Sequence, residues 1–198
     1  MNRERKRCPW SGNDPVYISY HDEEWGLPLH DDRKHFEFLV LESAQAGLSW
    51  LTILKRRENY RRLYADFDPE IVAGYDQDRV EELLNDPGII RNRLKIEASV
   101  TNARSFLEVR KEFGSFDRYL LQFTGGRQIV NNWEHMSELP AKTEVSDAIS
   151  KDMKKRGFRF IGSTTIYAHL QAAGIVNDHL TGCFRYHEVM ENRDSGKK

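Results

Sequence analysis

Residues 84–93, LNDPGIIRNR, join two segments whose apolar residues recur with helical spacing. The sequence predicts a tight turn here, in which Gly88 adopts a positive φ, a conformation that glycine reaches without steric cost. Two β-branched residues follow, and Arg91 and Arg93 then introduce a long periodic segment that runs to about Phe113. We therefore predict two helices joined by a tight turn, with the second helix beginning in basic residues.

The start of this second helix is a candidate phosphate-binding site. Its first backbone N–H groups have no partner within the helix, and Arg91, Arg93 and Lys95 are close to them in sequence. The arrangement looks like a helix-hairpin-helix, a module that holds one DNA strand without reading its sequence. An ordinary tight turn between two helices is the alternative, and such a turn taken alone is more often structural.

The helical pattern extends over nearly the whole chain of 198 residues. For example, Asp31 or Asp32 is expected to cap an apolar helix that Gly47 ends. Only residues 124–136 show no clear period, and they are predicted to form a loop. This loop is too short to separate independent domains, so we expect one all-α domain over residues 1–198.

The composition bears on location and partners. No segment holds about 18 successive apolar residues, and no apolar stretch follows the charged start, so we expect a cytoplasmic protein without a membrane span. The net charge of −1 does not by itself indicate a nucleic-acid partner. Basic stretches such as residues 55–62 and 91–95 could still form a local phosphate-binding face, although a solvated helix face is the simpler interpretation.

Cys8 and Cys183, the two cysteines, stand near opposite ends of the chain. A stable disulfide is not expected in the cytoplasm, which leaves a metal site or two unrelated buried thiols. His21 and His179 would complete a set of two thiolates and two imidazoles, which suits tetrahedral zinc. His179 and Cys183 are four residues apart, so one helical turn could direct both at one point. The spacing is not that of a zinc finger, and the spacing alone leaves both accounts open.

Glu42 is the one charged residue in the apolar helical segment FLVLESAQA, residues 38–46. It lies one helical turn from Phe38, so its carboxyl group shares a face with an aromatic ring. A carboxyl group in apolar surroundings must be paired, hydrogen-bonded or protonated. A functional carboxylate, a structural salt bridge and an exposed helix edge all fit this pattern.

Five aromatic residues crowd the first quarter of the chain. They serve either as core packing, which is the usual role of such residues, or as the walls of a pocket that stacks on a flat ring. The five are Trp10, Tyr17, Tyr20, Trp25 and Trp50.

Several long strings in this chain are similar to the DNA-3-methyladenine glycosylase I family. The resemblance covers roughly residues 8 to 183 and is strong because the strings are long and unusual. They are CPW (8–10), DPVYISYHDEEWG (14–26), FEFLVLE (36–42), QAGLSW (45–50), KRRENY (55–60), KKRGF (154–158), FIG (160–162) and GIVNDH (174–179) with Cys183.

The resemblance implies a helix-hairpin-helix DNA glycosylase fold in two lobes, in which a structural zinc ion joins the N- and C-terminal segments. Cys8, His21, His179 and Cys183 occupy all four ligand positions of the family. The resemblance further implies a base pocket formed by Glu42, Tyr20 and Trp50, with Trp10, Tyr17 and Trp25 around it. The family has neither the catalytic aspartate of other helix-hairpin-helix glycosylases nor a lyase lysine.

The activity implied is hydrolysis of the bond between 3-methyladenine and deoxyribose in double-stranded DNA, by a monomer without lyase activity. The methylated base is a cation that leaves as a neutral molecule, so no strong general acid is needed. Glu42 is then the residue expected to select the positive charge, while Tyr20 and Trp50 stack on the ring. No residue can be assigned from the sequence as the base that activates water.

Leu48, at the break between two predicted helices, is expected near the gap that a flipped base leaves in the duplex. A core leucine is the equally weighted alternative.

Two rival functions remain: a glycosylase of the same fold for another alkylated purine, and a non-catalytic DNA-binding module. A pure DNA-binding module has no need of Glu42 beside two aromatic rings.

Overall fold

Helices form nearly all the regular structure in residues 5–194, the part of the chain that the computed structural model describes. The helices are α1 (Pro15–Glu23), α2 (Asp32–Gln45), α3 (Trp50–Leu54), α4 (Arg57–Leu63), α5 (Pro69–Ala73), α6 (Gln77–Asn85), α7 (Arg93–Phe113), α8 (Phe116–Leu121), α9 (Glu144–Lys155), α10 (Ser163–Ala172) and α11 (Arg185–Asp194). Short 3-10 helices lie at Pro9–Ser11, Ala65–Phe67, Gln122–Thr124 and Met136–Glu138. None of the helices within this range is long and apolar enough to cross a membrane.

Local capping determines where many of these helices begin and end. The side chain of Asp31 accepts a hydrogen bond from the backbone N–H of Lys34, which confirms it as the N-cap of α2. Gly47, with φ +84°, follows α2 as predicted, because glycine adopts this left-handed conformation without strain. Gly114 ends α7 in the same way.

Gly88 in the hairpin between α6 and α7 does not adopt a positive φ, so that prediction is wrong. A close approach explains the glycine instead: a Cβ atom there would lie 2.8 Å from Cγ of Asn59 and 2.9 Å from Oδ1 of Asp86. Its N–H donates to the same Asp86 oxygen at 2.7 Å, and the next residue, Ile89, is buried in the core. The turn is thus clamped between α4 and α6 by packing and one hydrogen bond.

The predicted loop at residues 124–136 contains a short strand. β1 (Ile129–Val130) pairs in parallel with β2 (Val176–Asn177), and Ile129 lies opposite Val176. A two-residue strand whose partner is distant in sequence leaves no periodic pattern, which is why the sequence did not predict it. The pairing brings the following loop against the C-terminal segment, where the backbone N–H of Thr181 donates to the carbonyl oxygen of Trp133.

Two groups of buried apolar side chains meet along α2. Phe36 and Leu39 face the larger core, together with Phe106 of α7. Phe38 faces a smaller cluster that contains Cys8, Tyr20, Trp25 and Cys183 from the two ends of the described chain. Because α2 borders both groups, a polar side chain on it can be buried between them.

Candidate functional site

Four potential metal ligands converge inside the smaller cluster. The ligand atoms of Cys8, His21, His179 and Cys183 all lie within 4.8 Å of one another, and all four side chains are buried. His179 Nδ1 lies 3.7 Å from Cys8 Sγ and 3.6 Å from Cys183 Sγ, while Cys183 Sγ lies 3.5 Å from His21 Nε2. Tetrahedral zinc, with Zn–S of about 2.3 Å and Zn–N of about 2.0–2.1 Å, requires spacings of roughly this size.

The route to this convergence differs from the prediction. His179 and Cys183 do not share a helical turn, because the chain from 178 to 184 passes through irregular turns between β2 and α11. The cysteines are free thiols, as expected. A hydrogen bond between the two sulfurs lowers the pKa of Cys183, which favours a thiolate there, and raises the pKa of Cys8.

Both histidines of the cluster are oriented by a second partner. The Nε2 atom of His179 lies 3.0 Å from the carbonyl oxygen of Trp25, and a carbonyl can only accept, so Nδ1 carries the lone pair. The Nδ1 atom of His21 lies 2.8 Å from Oδ1 of Asp22, which leaves Nε2 for a metal. Such outer partners are characteristic of metal-binding histidines, so the donor set fits a bound cation.

A pocket lies beside the cluster of Cys8, His21, His179 and Cys183 and is walled mostly by aromatic rings. Tyr20 and Trp50 stand at 61° with their ring centroids 5.6 Å apart. The ring centroid of Trp10 lies 5.1 Å from that of Tyr17 and 4.9 Å from that of Trp25. The five aromatic residues of the sequence prediction all line this one pocket, and Tyr20 and Trp25 also pack in the smaller core, so both interpretations apply.

Glu42 also lines the pocket, although its side chain is almost completely buried. Burial raises the pKa of Glu42 well above its usual value. Its Oε2 atom lies 2.9 Å from Nδ1 of His169, a fully buried residue of α10. The exposed-edge interpretation is therefore wrong, because Glu42 sits between the two cores and is hydrogen-bonded there.

Several further residues of the pocket and its support were not predicted from the sequence, among them Gln171, Met136, Leu139 and His169. Gln171 lines the pocket, and its Nε2 donates to the buried carboxylate of Asp178 at 2.7 Å. Met136 and Leu139 reach the pocket from the loop after β1. His169 could have been suspected from its place in the apolar run IYAHL, residues 166–170, but the other three depend on distant pairing.

The residues predicted to contact DNA lie on exposed parts of the surface. Leu48 is 41% exposed at the junction of α2 and α3, so it is not a core leucine. It lines a groove that also includes Glu42 and Gln45. Arg91 is exposed at the hairpin and makes no ion pair within the described range. Arg93 is paired with Glu81 at 2.7 Å, so its guanidinium is less available than predicted.

A family model described as Methyladenine glycosylase matches residues 10–186. The chain belongs to the methyladenine glycosylase family. The DNA-3-methyladenine glycosylase 1 of Escherichia coli (strain K12) is 48% identical over 181 residues, which are 91% of this chain and 97% of that protein.

Solved structures of methyladenine glycosylases share this fold. A crystal structure of 3-methyladenine DNA glycosylase I has a TM-score of 0.88 and 47% identity, covering 90% of this chain and 98% of that chain. A variant of a 3-methyladenine DNA glycosylase I in complex with 3-methyladenine has a TM-score of 0.87 and 39% identity, covering 90% of this chain and 96% of that chain. The resemblance that the sequence strings indicated is thereby confirmed.

Proposed function

We propose that this methyladenine glycosylase hydrolyses the N-glycosidic bond of 3-methyladenine in alkylated double-stranded DNA. The observation that carries the proposal is the burial of Glu42 in a pocket walled by Tyr20 and Trp50. The relatives support the same substrate, since one related structure is a complex with 3-methyladenine. The cytoplasmic location and the monomeric state of the enzyme remain predictions.

The pocket distinguishes the lesion from adenine by charge as well as by shape. A cationic ring beside Tyr20 and Trp50 gains stacking and cation–π energy, on the order of 1–2 kcal/mol when water is excluded. Glu42 accepts hydrogen bonds from the base edge and favours the positive charge in a low-dielectric site. Undamaged adenine lacks that charge, so it does not recover the few kcal/mol that flipping out of the duplex costs.

The departing base needs little chemical help, because cleavage converts a cationic base into a neutral molecule. This agrees with the described residues that line the pocket, among which the only carboxyl group is that of Glu42 and no lysine occurs. We therefore propose a monofunctional glycosylase without lyase activity. The catalytic contribution of the protein is to bind, orient and desolvate the flipped base.

The proposed resident metal is one structural Zn²⁺, held by Cys8, His21, His179 and Cys183. Bound zinc supplies no step of the reaction; it would join the two ends of the chain and support the pocket wall. The support for zinc is the set of two sulfur and two nitrogen donors, together with the outer hydrogen bonds of both histidines.

We propose that DNA lies along the hairpin and the groove beside the pocket, in the manner of a helix-hairpin-helix glycosylase with two lobes. The first backbone N–H groups of α7 and the side chain of Arg91 would hold the phosphates of one strand, with Arg93 in a lesser role. The N–H of Gly88 is not among them, because it donates to Asp86. Leu48 would enter the gap left by the flipped base. The exposed positions of Arg91 and Leu48 support this arrangement.

Release of free base from methylated duplex DNA tests the function directly. Purified protein should release 3-methyladenine, identified by chromatography, and leave abasic sites without strand breaks. Release of a different alkylated purine in preference would favour the first rival function. Tight DNA binding with no release of any base would favour the non-catalytic DNA-binding module.

A further inference from the structure

Three buried side chains form a continuous hydrogen-bonded chain behind the pocket. His35 Nε2 lies 3.0 Å from the carbonyl oxygen of Leu29, and His35 Nδ1 lies 3.0 Å from His169 Nε2. His169 Nδ1 then lies 2.9 Å from Glu42 Oε2. His35 and His169 have no exposed surface and Glu42 has only 4%, so water does not complete any of these hydrogen bonds.

The carbonyl oxygen at one end determines where the protons of this chain lie. The oxygen of Leu29 can only accept, so His35 Nε2 must carry a hydrogen. Burial, with a contribution from His169, lowers the pKa of His35 to about 3, so this imidazole is neutral and its Nδ1 accepts. His169 Nε2 must therefore donate. One proton remains for the contact between His169 and Glu42, either on the imidazole Nδ1 or on the carboxyl oxygen.

The surroundings of this last contact favour the uncharged arrangement when the pocket is empty. The rings of Phe38 and Phe116 lie 6.4 Å and 6.0 Å from the ring of His169. Burial raises the pKa of Glu42 and lowers the pKa of His169 to about 3. Separated charges in such a site lose most of their hydration, so a neutral carboxyl group donating to a neutral imidazole is the more stable form.

We propose that His169, seated on His35, is a positioning residue that exchanges one proton with Glu42 when a cationic base enters the pocket. The inference rests on the proposed function. The Oε2–H bond of Glu42 breaks and an Nδ1–H bond forms on His169, so that a carboxylate faces the base and an imidazolium stands behind it. No proton enters or leaves the protein, and the net charge of the pair stays zero.

The positive charge of the base drives this transfer. In the charge-separated pair the carboxylate lies on the pocket side and the imidazolium lies farther from the base, so the field of a cation stabilises the pair. The Oε1 atom of Glu42 has no hydrogen-bond partner within residues 5–194 and can accept from the base. An uncharged purine gives no such stabilisation and meets a neutral carboxyl group. The hydrogen-bonded pair of Glu42 and His169 therefore increases the preference of the pocket for a charged lesion.

Nitrogen NMR of the zinc-loaded full chain, with ¹⁵N-labelled histidine, observes the proton directly. The probe is 3,9-dimethyladeninium, in which alkylation of both rings fixes the positive charge, and the uncharged control is 9-methyladenine. We expect His169 to have a protonated Nε2 and an unprotonated Nδ1 in the empty protein. The cation should protonate Nδ1 as well, while 9-methyladenine should leave it unchanged. His169→Phe assigns the resonances by deleting them.

The outcomes separate this inference from the proposed function. Binding of each probe is measured independently through the fluorescence of the pocket tryptophans. If the cation binds and His169 stays neutral, or if His169 is already an imidazolium in the empty protein, the inference is overturned and the function stands. If the cation does not bind at all, the proposed function fails and the inference fails with it.

The selectivity of His169→Phe gives a second readout that a purely structural role would not change. Phenylalanine preserves much of the volume but leaves Glu42 without a proton acceptor. The ratio of dissociation constants for 9-methyladenine and 3,9-dimethyladeninium should fall by about tenfold or more, corresponding to one pKa unit of altered protonation. Tyr119→Phe, which deletes a partly buried hydrogen bond to Asp152 elsewhere, should keep the parent ratio. An unchanged ratio in folded His169→Phe would overturn the inference.

Discussion

The ring of Trp25 meets the ring of His179 edge-on, with centroids 4.6 Å apart and an interplanar angle of 80°. The carbonyl oxygen of Trp25 also lies 3.0 Å from Nε2 of the same histidine. One residue of the pocket wall is thus held twice by a residue of the Cys/His cluster. Loss of the proposed zinc ion should therefore disturb the pocket as well as the junction of the chain ends.

Metal analysis of the purified protein should find one zinc ion per chain and no disulfide between Cys8 and Cys183. Removal of the metal by a chelator, or the substitution Cys183→Ser, should destabilise the fold by at least about 3 kcal/mol, or roughly 10 °C in Tm. The reason is that the site closes a loop of most of the chain. The exposed residue His187 is a matched control, since His187→Ala should keep both metal and Tm. Metal-free protein with the parent Tm would contradict the zinc proposal.

Arg91→Ala should weaken binding to all DNA sequences about equally and reduce the slope of log affinity against log salt by about 1. Arg93→Ala should have a smaller effect, because the guanidinium of Arg93 is paired with Glu81. The double variant should show both effects. Titration of duplex DNA at several salt concentrations measures them. Unchanged affinity in the double variant would show that the hairpin is only a structural turn.

Leu48→Ala should lower base release from duplex DNA while leaving Tm unchanged, since the side chain is exposed in the absence of DNA. A smaller side chain fills less of the gap left by the flipped base. Release from single-stranded DNA, where no gap needs filling, should fall less. Ile71→Ala removes an apolar residue of α5 that is even more exposed, at 53%, and serves as the control. A lower Tm with full activity per folded molecule would mean that Leu48 acts in packing.

Acid should destabilise the protein partly through His35. Burial lowers the pKa of His35 to about 3 in the folded state, against 6.5 as the ordinary value. As the pH falls below about 6.5, His35 becomes protonated in the unfolded chain but not in the folded protein. The stability present above about pH 6.5 is therefore lost as the pH falls from there towards about 3. Each such histidine contributes a slope of about 1.4 kcal/mol per pH unit.

His35→Gln tests that slope, because an amide can still donate to the carbonyl oxygen of Leu29 and accept from His169. The free energy of unfolding, measured in urea between about pH 6 and about pH 5, should fall less steeply in the variant by about 1.4 kcal/mol per unit. The metal site is intact in both proteins, so acid release of metal affects them equally. Identical slopes would show that His35 is not held neutral.

The sequence predicted the elements that depend on local interactions. Asp31 caps α2 through the backbone three residues on, and Gly47 ends it through its own φ, so both could be inferred without the rest of the fold. The position of the hairpin was also predicted, but the reason why residue 88 is a glycine was not. Its constraint is the side chain of Asn59, about thirty residues away, which no local pattern records.

The residues of the site were predicted where the family resemblance identified them, and the remaining residues were not. Glu42 and the five aromatic residues were expected to share a pocket, and they do. The partner of Glu42 was not expected, because His169 is 127 residues away in sequence. Gln171 and Leu139 reach the pocket only after β1 and α10 have been placed by tertiary packing, which periodicity does not encode.

The central claim is that buried Glu42 recognises a positively charged base, and Glu42→Gln tests it most directly. Glutamine keeps the size of the side chain but removes the charge and adds a donor that faces the amino group of the base. The variant should fold with the parent Tm and bind undamaged DNA normally. Its affinity for the cation 3,9-dimethyladeninium should fall by about 1–3 kcal/mol, the usual penalty for a poorly satisfied buried polar group.

The decisive measurement is base release from methylated duplex DNA by folded, zinc-loaded Glu42→Gln, compared with the parent protein under the same conditions. We predict that release of 3-methyladenine slows by about tenfold or more, in step with the weaker binding of the cation. Release at the parent rate would show that Glu42 is structural and would contradict this account of the pocket.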